Sequence, residues 1–276
     1  MPEYRVRPED HRVADGSTFS LSGTDTFLAP EELDRDSARK LTKKNRDRFA
    51  DLQELLYAEG KQALLIVLQA MDTGGKDSTI RAVTKGVNPQ GFHVFGFKAP
   101  SKRELSHDYL WRIHQQVPPK GRIGIFNRSH YEDVLIVKVH RWATPETIEN
   151  RYRQINDFER LLSESGTRIL KIMLHISKDY QLERLLRRLR LPEKHWKFNA
   201  DDLKERKLWT TYMSAYEAAI QRCCSEATPW YVIPAEQRWY RNLVISQLIV
   251  DTLADMAPVY PPPAFDPADY PPESLQ

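Results

Sequence analysis

The sequence predicts an α/β domain of three layers, an α/β/α arrangement in which helices cover both faces of a parallel sheet of about five strands. Three observations support this fold class. Five short apolar runs alternate along the chain with segments of helical periodicity. Runs without a polar face are typical of strands buried on both sides in a parallel sheet. The chain of 276 residues is long enough to bury such a core as one large domain.

The predicted strands and the helices between them follow from local pattern. A long helix begins near Asp34 with apolar residues on one stripe, and Gly60 is placed to end it. A later helix opens at Thr144 and Pro145, which are favoured at the N-cap and the first helical position. A last helix spans roughly 239 to 256. The five apolar runs are "ALLIVLQ" (63–69), "FHVFGFK" (92–98), "RIGIFN" (122–127), "RILKIMLHIS" (168–177) and "WYVIPA" (230–235).

The chain is predicted to have three parts. Residues 1–33 are polar and weakly patterned, which predicts an N-terminal arm on the domain surface. Residues 34–256 form the domain itself, and residues 257–276, with seven prolines, form a non-helical tail. Within the domain, residues of about 178–207 precede the last strand and begin with a helix whose leucines share one face and whose arginines share the other. That segment is predicted to be a mobile helical lid.

Composition limits the function classes. The hydrophobic fraction is 41% and the charged fraction 29%, an ordinary globular balance. The net charge is only +3, yet residues 76–128 hold ten Lys or Arg against three Asp or Glu. Such a local excess of positive charge favours a polyanionic partner.

The cellular compartment is predicted from the cysteine spacing and from sequence features that are missing. Cys223 and Cys224 are adjacent and have neither zinc-site nor disulfide spacing, which favours a reducing cytoplasm. The longest apolar run, "ALLIVL", is far shorter than the roughly 20 residues of a membrane span. The first residues lack the apolar stretch of a secretory signal. A cytoplasmic protein that does not enter a membrane is therefore expected.

The stretch "LLIVLQAMDTGGKDSTI" (64–80) resembles a phosphate-binding P-loop, whose usual pattern is G-x-x-x-x-G-K-[ST]. Its strand, glycine-rich turn and helix supply backbone N–H groups and a lysine to phosphate oxygens. Ala70 stands at the first glycine position, and Asp77 stands where a magnesium-binding hydroxyl is usual. The predicted phosphate-binding residues of this stretch are Gly74, Gly75, Lys76, Asp77 and Ser78.

Two carboxylates, Asp72 and Asp77, bracket this turn. They would repel a phosphate unless divalent cations lie between them, and Mg²⁺ prefers one or two carboxylates together with phosphate oxygens. The sequence therefore predicts a Mg²⁺ site, with Mn²⁺ as a substitute, that includes Asp72. Asp77 has a second interpretation, as a helix cap.

A second candidate site is "IFNRSHYEDV", which follows the third predicted strand. Ligands of open parallel sheets bind at the carboxyl ends of strands, so Asn127 and Arg128 are expected to face the same crevice as the P-loop. Arg128 is the candidate clamp on phosphate oxygens. Glu132 and Asp133 are either first-turn acids or further metal carboxylates, and His130 is expected to be a structural hydrogen-bonding residue.

Many further cations are available. Arg184 and Arg188 lie four apart on the lid helix, with Lys194 and Lys197 after it; closing them over phosphates would neutralise charge and exclude water. A solvated charged face is the alternative. One nucleoside triphosphate does not need so many cations, whereas a long phosphate chain or a nucleic acid would. The remaining predicted phosphate-binding residues are Arg81, Lys85, Lys98, Lys102 and Arg103.

Six motifs together resemble the polyphosphate kinase 2 family: "LQAMDTGGKDSTI", "GVNPQGF", "DYLWRIHQQVPPKG", "IFNRSHYEDVL", "PEKHWKF" and "PWYVIPA". The resemblance runs in order from about residue 40 to 255. It implies a thymidylate-kinase-like P-loop fold, phosphoryl transfer between inorganic polyphosphate and nucleotides, magnesium held by carboxylates of the two Walker regions, and a homo-oligomer. The matching positions are Asp72, Lys76, Arg128 and Asp133, with Arg184 and Arg188 in the lid.

Asn127 stands where many members of that family carry an aspartate, and the asparagine form resembles the class III subgroup, which implies that both AMP and ADP are phosphorylated. Adenine nucleotides are the expected acceptors, and guanine nucleotides stay open as an alternative. An acceptor phosphate has a pKa near 6 and needs no strong base. The expected mechanism is therefore electrostatic. The expected catalytic residues are Asp72, Lys76, Asn127, Arg128 and Glu132.

Two other functions remain open. A nucleoside monophosphate kinase would share the fold and the lid but use ATP as donor; the missing hydroxyl after Lys76 argues against it. A non-enzymatic domain could bind polyphosphate or single-stranded nucleic acid through stacking aromatics. The aromatic residues lie mostly in helical stripes and are expected in the core, so no nucleic-acid partner is predicted.

Overall fold

The computed structural model describes residues 6–271 and residue 273. Its centre is one parallel sheet of five strands in the order β2-β3-β1-β4-β5. All five predicted strands are present. The strands are β1 (Ala63–Ala70), β2 (Phe92–Gly96), β3 (Ile123–Asn127), β4 (Thr167–His175) and β5 (Trp230–Pro234).

Helices cover this sheet. One group, α1, α2 and α10, packs together, and a second, α5, α6 and α9, packs together beside β4, so that the predicted three layers are confirmed. The α-helices are α1 (Arg35–Glu59), α2 (Lys76–Val83), α3 (Lys102–Leu105), α4 (Trp111–His114), α5 (Ile136–Val139), α6 (Pro145–Glu164), α7 (Lys178–Arg190), α8 (Asp201–Lys207), α9 (Trp209–Arg222) and α10 (Arg238–Asp255). Short 3₁₀ turns occupy Pro8–His11, Gly16–Thr18, Leu21–Gly23, Pro89–Gly91, His130–Asp133, Pro192–Lys197 and Pro267–Asp269.

The ends of the long helices have the caps that their sequences predict. The Asp34 carboxylate accepts from the backbone N–H groups of Asp36 and Ser37, and Gly60 ends α1 in the left-handed conformation with φ of 64°. The Thr144 hydroxyl accepts from the N–H group of Thr147 at the start of α6. Each cap satisfies backbone groups that a helix end leaves unpaired.

Burial departs from the sequence interpretation at two elements. β2 is an edge strand, and three of its five residues are exposed, because only β3 pairs with it. In α7, only Leu185 of the predicted leucine face is buried. Leu182, Leu186 and Leu189 are exposed by 38 to 49%, since α7 touches the domain along the line of Gln181 and Leu185.

The described parts of the arm and of the tail both contact the domain. In the arm, Val6, Val13, Leu21 and Leu33 are buried, and Arg12 forms an antiparallel bridge with Tyr231 of β5. In the described part of the tail, most residues are exposed and the Tyr260 hydroxyl donates to Glu54 of α1 at 2.8 Å. Within residues 6–271, no helix is both long and apolar enough to cross a bilayer.

Strand order positions the site. After β1 the chain builds β2 and β3 on one side and then β4 and β5 on the other. The direction of winding therefore reverses at β1, and in open α/β sheets ligands bind outside the carboxyl end of the strands at such a point. The glycine-rich loop after Ala70 and the turn after Asn127 meet there.

Candidate active site

The loop between β1 and α2 has a backbone that its glycines permit. A side chain on Gly74 would lie 2.7 Å from the Ala70 Cβ and 2.9 Å from the Met71 carbonyl oxygen. Gly75 has φ of 102° and is the N-cap residue of α2, without a side chain to cap the first turn. The N–H groups of that turn are consequently available to an anion, as in other P-loops. Asp77 is the second residue of α2, so its alternative interpretation as a cap is wrong.

Lys76 closes the loop on itself. Its Nζ donates to the carbonyl oxygens of Ala70 at 2.6 Å and of Met71 at 3.5 Å. Burial lowers the pKa of Lys76 and the charge of Arg128 lowers it further, while Asp72 and Glu132 oppose both effects. The ammonium group therefore lies among charges of both signs, directly below the phosphate-binding turn.

The turn after β3 contacts the loop at two points. Arg128 Nη2 donates to Asp72 Oδ1 at 2.7 Å, and Asn127 Nδ2 donates to Asp77 Oδ1 at 2.7 Å. Arg128 has φ of 66°, a left-handed conformation that costs a non-glycine residue about 1 to 2 kcal/mol. Backbone strain of this kind is concentrated at functional sites. The predicted convergence of Asn127 and Arg128 on the loop is thus observed.

The adjacent acids Glu132 and Asp133 interact with different groups. Burial raises the pKa of Glu132, and the charges of Arg128 and Lys76 oppose that rise, which places Glu132 in the loop cluster. With its nitrogen directed toward Glu132, the Gln69 amide donates to Oε1 at 3.1 Å.

Asp133 contacts a different arginine. Its carbonyl oxygen accepts from Arg151 Nη1 at 2.8 Å, and its Oδ1 lies 3.6 Å from the same nitrogen. The structure therefore brings Glu132, rather than Asp133, to Lys76 and Arg128. Asp133, predicted together with Asp72 as a metal carboxylate, lies against Arg151, and its metal role stays a prediction.

The P-loop and the turn after β3 line a cavity of about 690 Å³, here named the P-loop cavity, whose lining includes neither Glu132 nor Asp133. Its lining holds ten Lys or Arg and three Asp or Glu, with neither His nor Cys among the described residues that line it. The predicted site residues that line it from the loop, α2 and the turn after β3 are Asp72, Gly74, Gly75, Lys76, Asp77, Ser78, Arg81, Asn127 and Arg128, together with Lys98 after β2.

All four predicted lid cations, Arg184, Arg188, Lys194 and Lys197, also line the P-loop cavity. Arg188 is held by Asp202 at 2.8 Å and by the Lys197 carbonyl oxygen at 2.9 Å. Burial and then the neighbouring arginines Arg238 and Arg187 lower the pKa of Arg184, although Tyr180 opposes this. The lid is tied to the loop, because Gln181 donates to the Asp72 carbonyl oxygen at 3.1 Å.

Three predicted phosphate-binding residues, Lys85, Lys102 and Arg103, do not line the P-loop cavity. Lys85 and Lys102 are exposed to solvent, and the Arg103 guanidinium lies over the Trp111 ring at 5.5 Å. Cations close in sequence to the P-loop are thus not all close to it in space. For these three the placement gives no support to the predicted role.

The structure adds residues that the sequence interpretation missed as site residues. Arg187 and Arg238 line the P-loop cavity, together with the aromatic side chains of Phe97 and Trp196. Arg241 lies beneath the loop, where its guanidinium would collide with any side chain on Gly75. The position of Arg238 just after the carboxyl end of β5 was the available signal, because that edge of the sheet faces the site.

His130 belongs to the core. It is fully buried, and its Nε2 lies 3.1 Å from Glu159 Oε1. Glu159 also accepts from Lys171 Nζ at 2.6 Å and from the Tyr131 hydroxyl at 2.8 Å. The predicted structural role of His130 agrees with this buried network.

A parallel sheet with its P-loop at the switch point, a lysine on that loop, an arginine on the neighbouring turn and a basic lid define a P-loop phosphotransferase site. Comparison with known proteins narrows this class. The family profile described as Polyphosphate kinase 2 matches residues 32–260. This chain belongs to the polyphosphate kinase 2 family.

Relatives match over nearly the whole chain. The AMP/ADP-polyphosphate phosphotransferase of Meiothermus ruber is 50% identical over 95% of this chain and 96% of its own length. The ADP-polyphosphate phosphotransferase of Rhodopseudomonas palustris is 43% identical over 93% of each chain. The crystal structure of Polyphosphate Kinase 2 from Arthrobacter aurescens TC1 superimposes with a TM-score of 0.92 at 44% identity and covers 97% of this chain and 95% of that one.

Proposed function

We propose that this protein transfers the terminal phosphoryl group of inorganic polyphosphate to AMP and to ADP, which yields ADP and ATP. The observation that carries the proposal is the P-loop cavity, in which a phosphate cradle, Lys76 and Arg128 converge with the lid cations. Ten basic residues against three acidic ones suit two polyanions held side by side. The names of the relatives from Meiothermus ruber and Rhodopseudomonas palustris support the same reaction.

The chemistry asked of this site is electrostatic. The acceptor phosphate of AMP or ADP has a pKa near 6 and already presents an anionic oxygen at neutral pH, so no general base is required. Lys76 and Arg128 lie where they can hold the transferred phosphoryl group, and their charges stabilise the loose, in-line transition state. The lid cations bring the two anions within attacking distance and exclude water.

The residues present fit a magnesium ion. Mg²⁺ prefers one or two carboxylates and completes its shell with phosphate oxygens and waters. Asp72 and Asp77 line the P-loop cavity, and no cluster of three His, Cys, Asp or Glu side chains fit to hold a metal occurs among the residues the structure describes. Asp72 and Asp77 would therefore hold the ion together with the substrate. When bound there, Mg²⁺ neutralises charge on the phosphate oxygens.

Asn127 bears on the choice of acceptor. Its amide leaves this part of the cavity without the negative charge that an aspartate would add, and it donates to Asp77 at 2.7 Å. A lower negative charge beside the acceptor reduces the repulsion that the phosphate of either AMP or ADP meets there. The geometry therefore favours an enzyme that accepts both AMP and ADP.

The test is a comparison of donors. Purified protein with Mg²⁺ and AMP is given either long-chain polyphosphate or ATP as sole donor, and ADP and ATP are separated by chromatography. We expect turnover with polyphosphate that Lys76→Ala and Arg128→Ala abolish. Turnover with ATP alone would instead assign a nucleoside monophosphate kinase, and binding of polyphosphate without turnover would assign a non-enzymatic function.

A further inference from the structure

A second cavity, of about 660 Å³, lies between α1, α2 and α10. Five arginines line it, and no acidic side chain does among the described residues. This is the arginine cavity, defined by Arg35, Arg39, Arg46, Arg238 and Arg241. Its lining differs from that of the P-loop cavity, where carboxylates stand among the cations.

The two cavities adjoin. Ser78 and Arg238 line both of them. Arg184 in the P-loop cavity and Arg241 in the arginine cavity are both close enough to Arg238 for its charge to lower their pKa values, in each case as a smaller effect than burial. Arginines therefore line the two adjoining cavities from the lid, past the start of α10, to α1.

Arg241 is a buried cation that has no anionic partner among the residues the structure describes. Its side chain is only 2% exposed, and it donates to the neutral oxygens of Ser78 at 3.3 Å and of Asn242 at 2.9 Å. Burial is the main reason that the pKa of Arg241 falls to about 10. Burying an unpaired charge costs free energy, and an anion bound in the adjoining cavity would offset the cost of burying Arg241.

The other arginines are equally available. In the described part of the chain, no carboxylate lies within 4.0 Å of Arg35, Arg46 or Arg238, and Arg39 reaches only the exposed carboxylate of Asp36 at 3.2 Å. Arg46 makes one long contact, 3.5 Å, to the carbonyl oxygen of Ala82. Guanidinium groups in this state bind phosphate oxygens through paired, charge-assisted hydrogen bonds.

We propose that the arginine cavity is a subsite for the distal units of inorganic polyphosphate, the part of the donor chain that extends past Ser78 and Arg238 while its end reacts in the P-loop cavity. This proposal rests on the proposed function. A polyphosphate carries about one charge per unit along a thin chain, which matches a row of cations without acids. The same subsite would explain why the chain carries more arginines around the P-loop than a nucleotide needs.

The subsite predicts that long donors bind more tightly than short ones through α1. The test compares tripolyphosphate, which the proposal expects to occupy the P-loop cavity alone, with long-chain polyphosphate. Binding is measured by calorimetry on the wild-type protein, Arg46→Gln and the double variant Arg39→Gln/Arg46→Gln. The matched control is Arg48→Gln, which removes the same charge from an exposed position of the same helix outside the cavity.

We expect each lost arginine to weaken long-chain binding by about tenfold, equivalent to about 1.4 kcal/mol, with a change below about twofold for tripolyphosphate. Arg48→Gln should bind both like the wild type. The ratio of kcat/KM for the long donor to that for tripolyphosphate should fall in parallel. Thermal unfolding verifies that each variant is folded. If the double variant does not fold, the comparison is made with Arg46→Gln alone.

Equal losses for both donors, no loss for either, or the same loss in Arg48→Gln would overturn the subsite, as would a wild-type protein indifferent to chain length. Competition by a single-stranded oligodeoxythymidylate that Arg46→Gln abolishes, with polyphosphate binding unaltered, would assign the cavity to nucleic acid instead. These outcomes are separate from failure of the proposed function, which would appear as a wild-type protein that binds polyphosphate but phosphorylates neither AMP nor ADP.

Discussion

Replacing Arg128 should separate activity from stability. Its guanidinium lines the P-loop cavity and is held at 2.7 Å by Asp72, where it can grip the transferred phosphoryl group. Arginines in that role are worth about 10³ to 10⁵ in rate. Arg128→Ala should therefore lower kcat by at least about 1,000-fold, a loss of about 4 kcal/mol of transition-state stabilisation. Arg128→Lys keeps the charge but cannot make the paired hydrogen bonds of a guanidinium, so its kcat should lie between that of the wild type and that of Arg128→Ala.

The effect on folding should be small and should depend on the backbone. The Arg128 side chain is 42% exposed and that of Asp72 27%, so screening by solvent limits their ion pair to less than about 1 kcal/mol. Residue 128 has φ of 66°, which glycine adopts without strain. Arg128→Gly should therefore be about 1 kcal/mol more stable than Arg128→Ala, although both lack the guanidinium.

The assay follows ATP and ADP formation from polyphosphate at saturating donor, and urea unfolding gives stability. A drop in kcat of less than about tenfold in Arg128→Ala would remove this residue from the mechanism. An alanine variant as stable as the glycine variant would refute the strain inferred from the backbone angle.

Three further predictions concern other parts of the molecule. Asn127→Asp would place two carboxylates in contact at the start of α2 and should lower kcat/KM for both AMP and ADP; an unchanged kcat/KM for either acceptor would contradict it. Gly75→Ala, at φ of 102° and against a buried guanidinium, should abolish activity, whereas Gly60→Ala, also at positive φ but in open space, should cost only about 1 kcal/mol of stability and keep activity; similar kinetics for the two would refute this. Burial raises the pKa of Glu159, but the charge of Lys171 and a neighbouring imidazole outweigh it and hold that pKa at about 2. Because this pKa is below the ordinary 4.5, the free energy of unfolding measured in urea should fall as the pH drops from 4.5 toward 2, and a flat pH profile would contradict this. Lys171→Met should lower the free energy of unfolding by about 3 to 5 kcal/mol at neutral pH, and an unchanged urea midpoint would contradict that.

Local chemistry explains what the sequence could predict. The limits of α1 follow from an aspartate that caps its start and a glycine that ends it in a left-handed turn, and both signals lie within the helix's own sequence. Four of the five strands are almost fully buried, so their apolar runs were unambiguous. The P-loop was predictable for the same reason, because its strand, turn and helix are contiguous.

Tertiary contacts decide the rest. Glu132 and Asp133 are neighbours in a 3₁₀ turn, and only the packed structure shows which of them turns toward Arg128. Leu182 fits a helical stripe, yet the domain contacts α7 along another line. Arg241 lies 166 residues along the chain from Gly75, the loop residue that it approaches, a distance over which no sequence pattern acts.

The most direct measurement follows the phosphorus atom itself. Polyphosphate labelled with ³²P in its terminal unit is mixed with unlabelled AMP, Mg²⁺ and an excess of protein, and the products of a single turnover are separated. Direct transfer predicts that the label moves to the β-phosphate of ADP as the polyphosphate shortens by one unit. Label that appears only as free phosphate, or ADP formed without label, would contradict the assignment of this site.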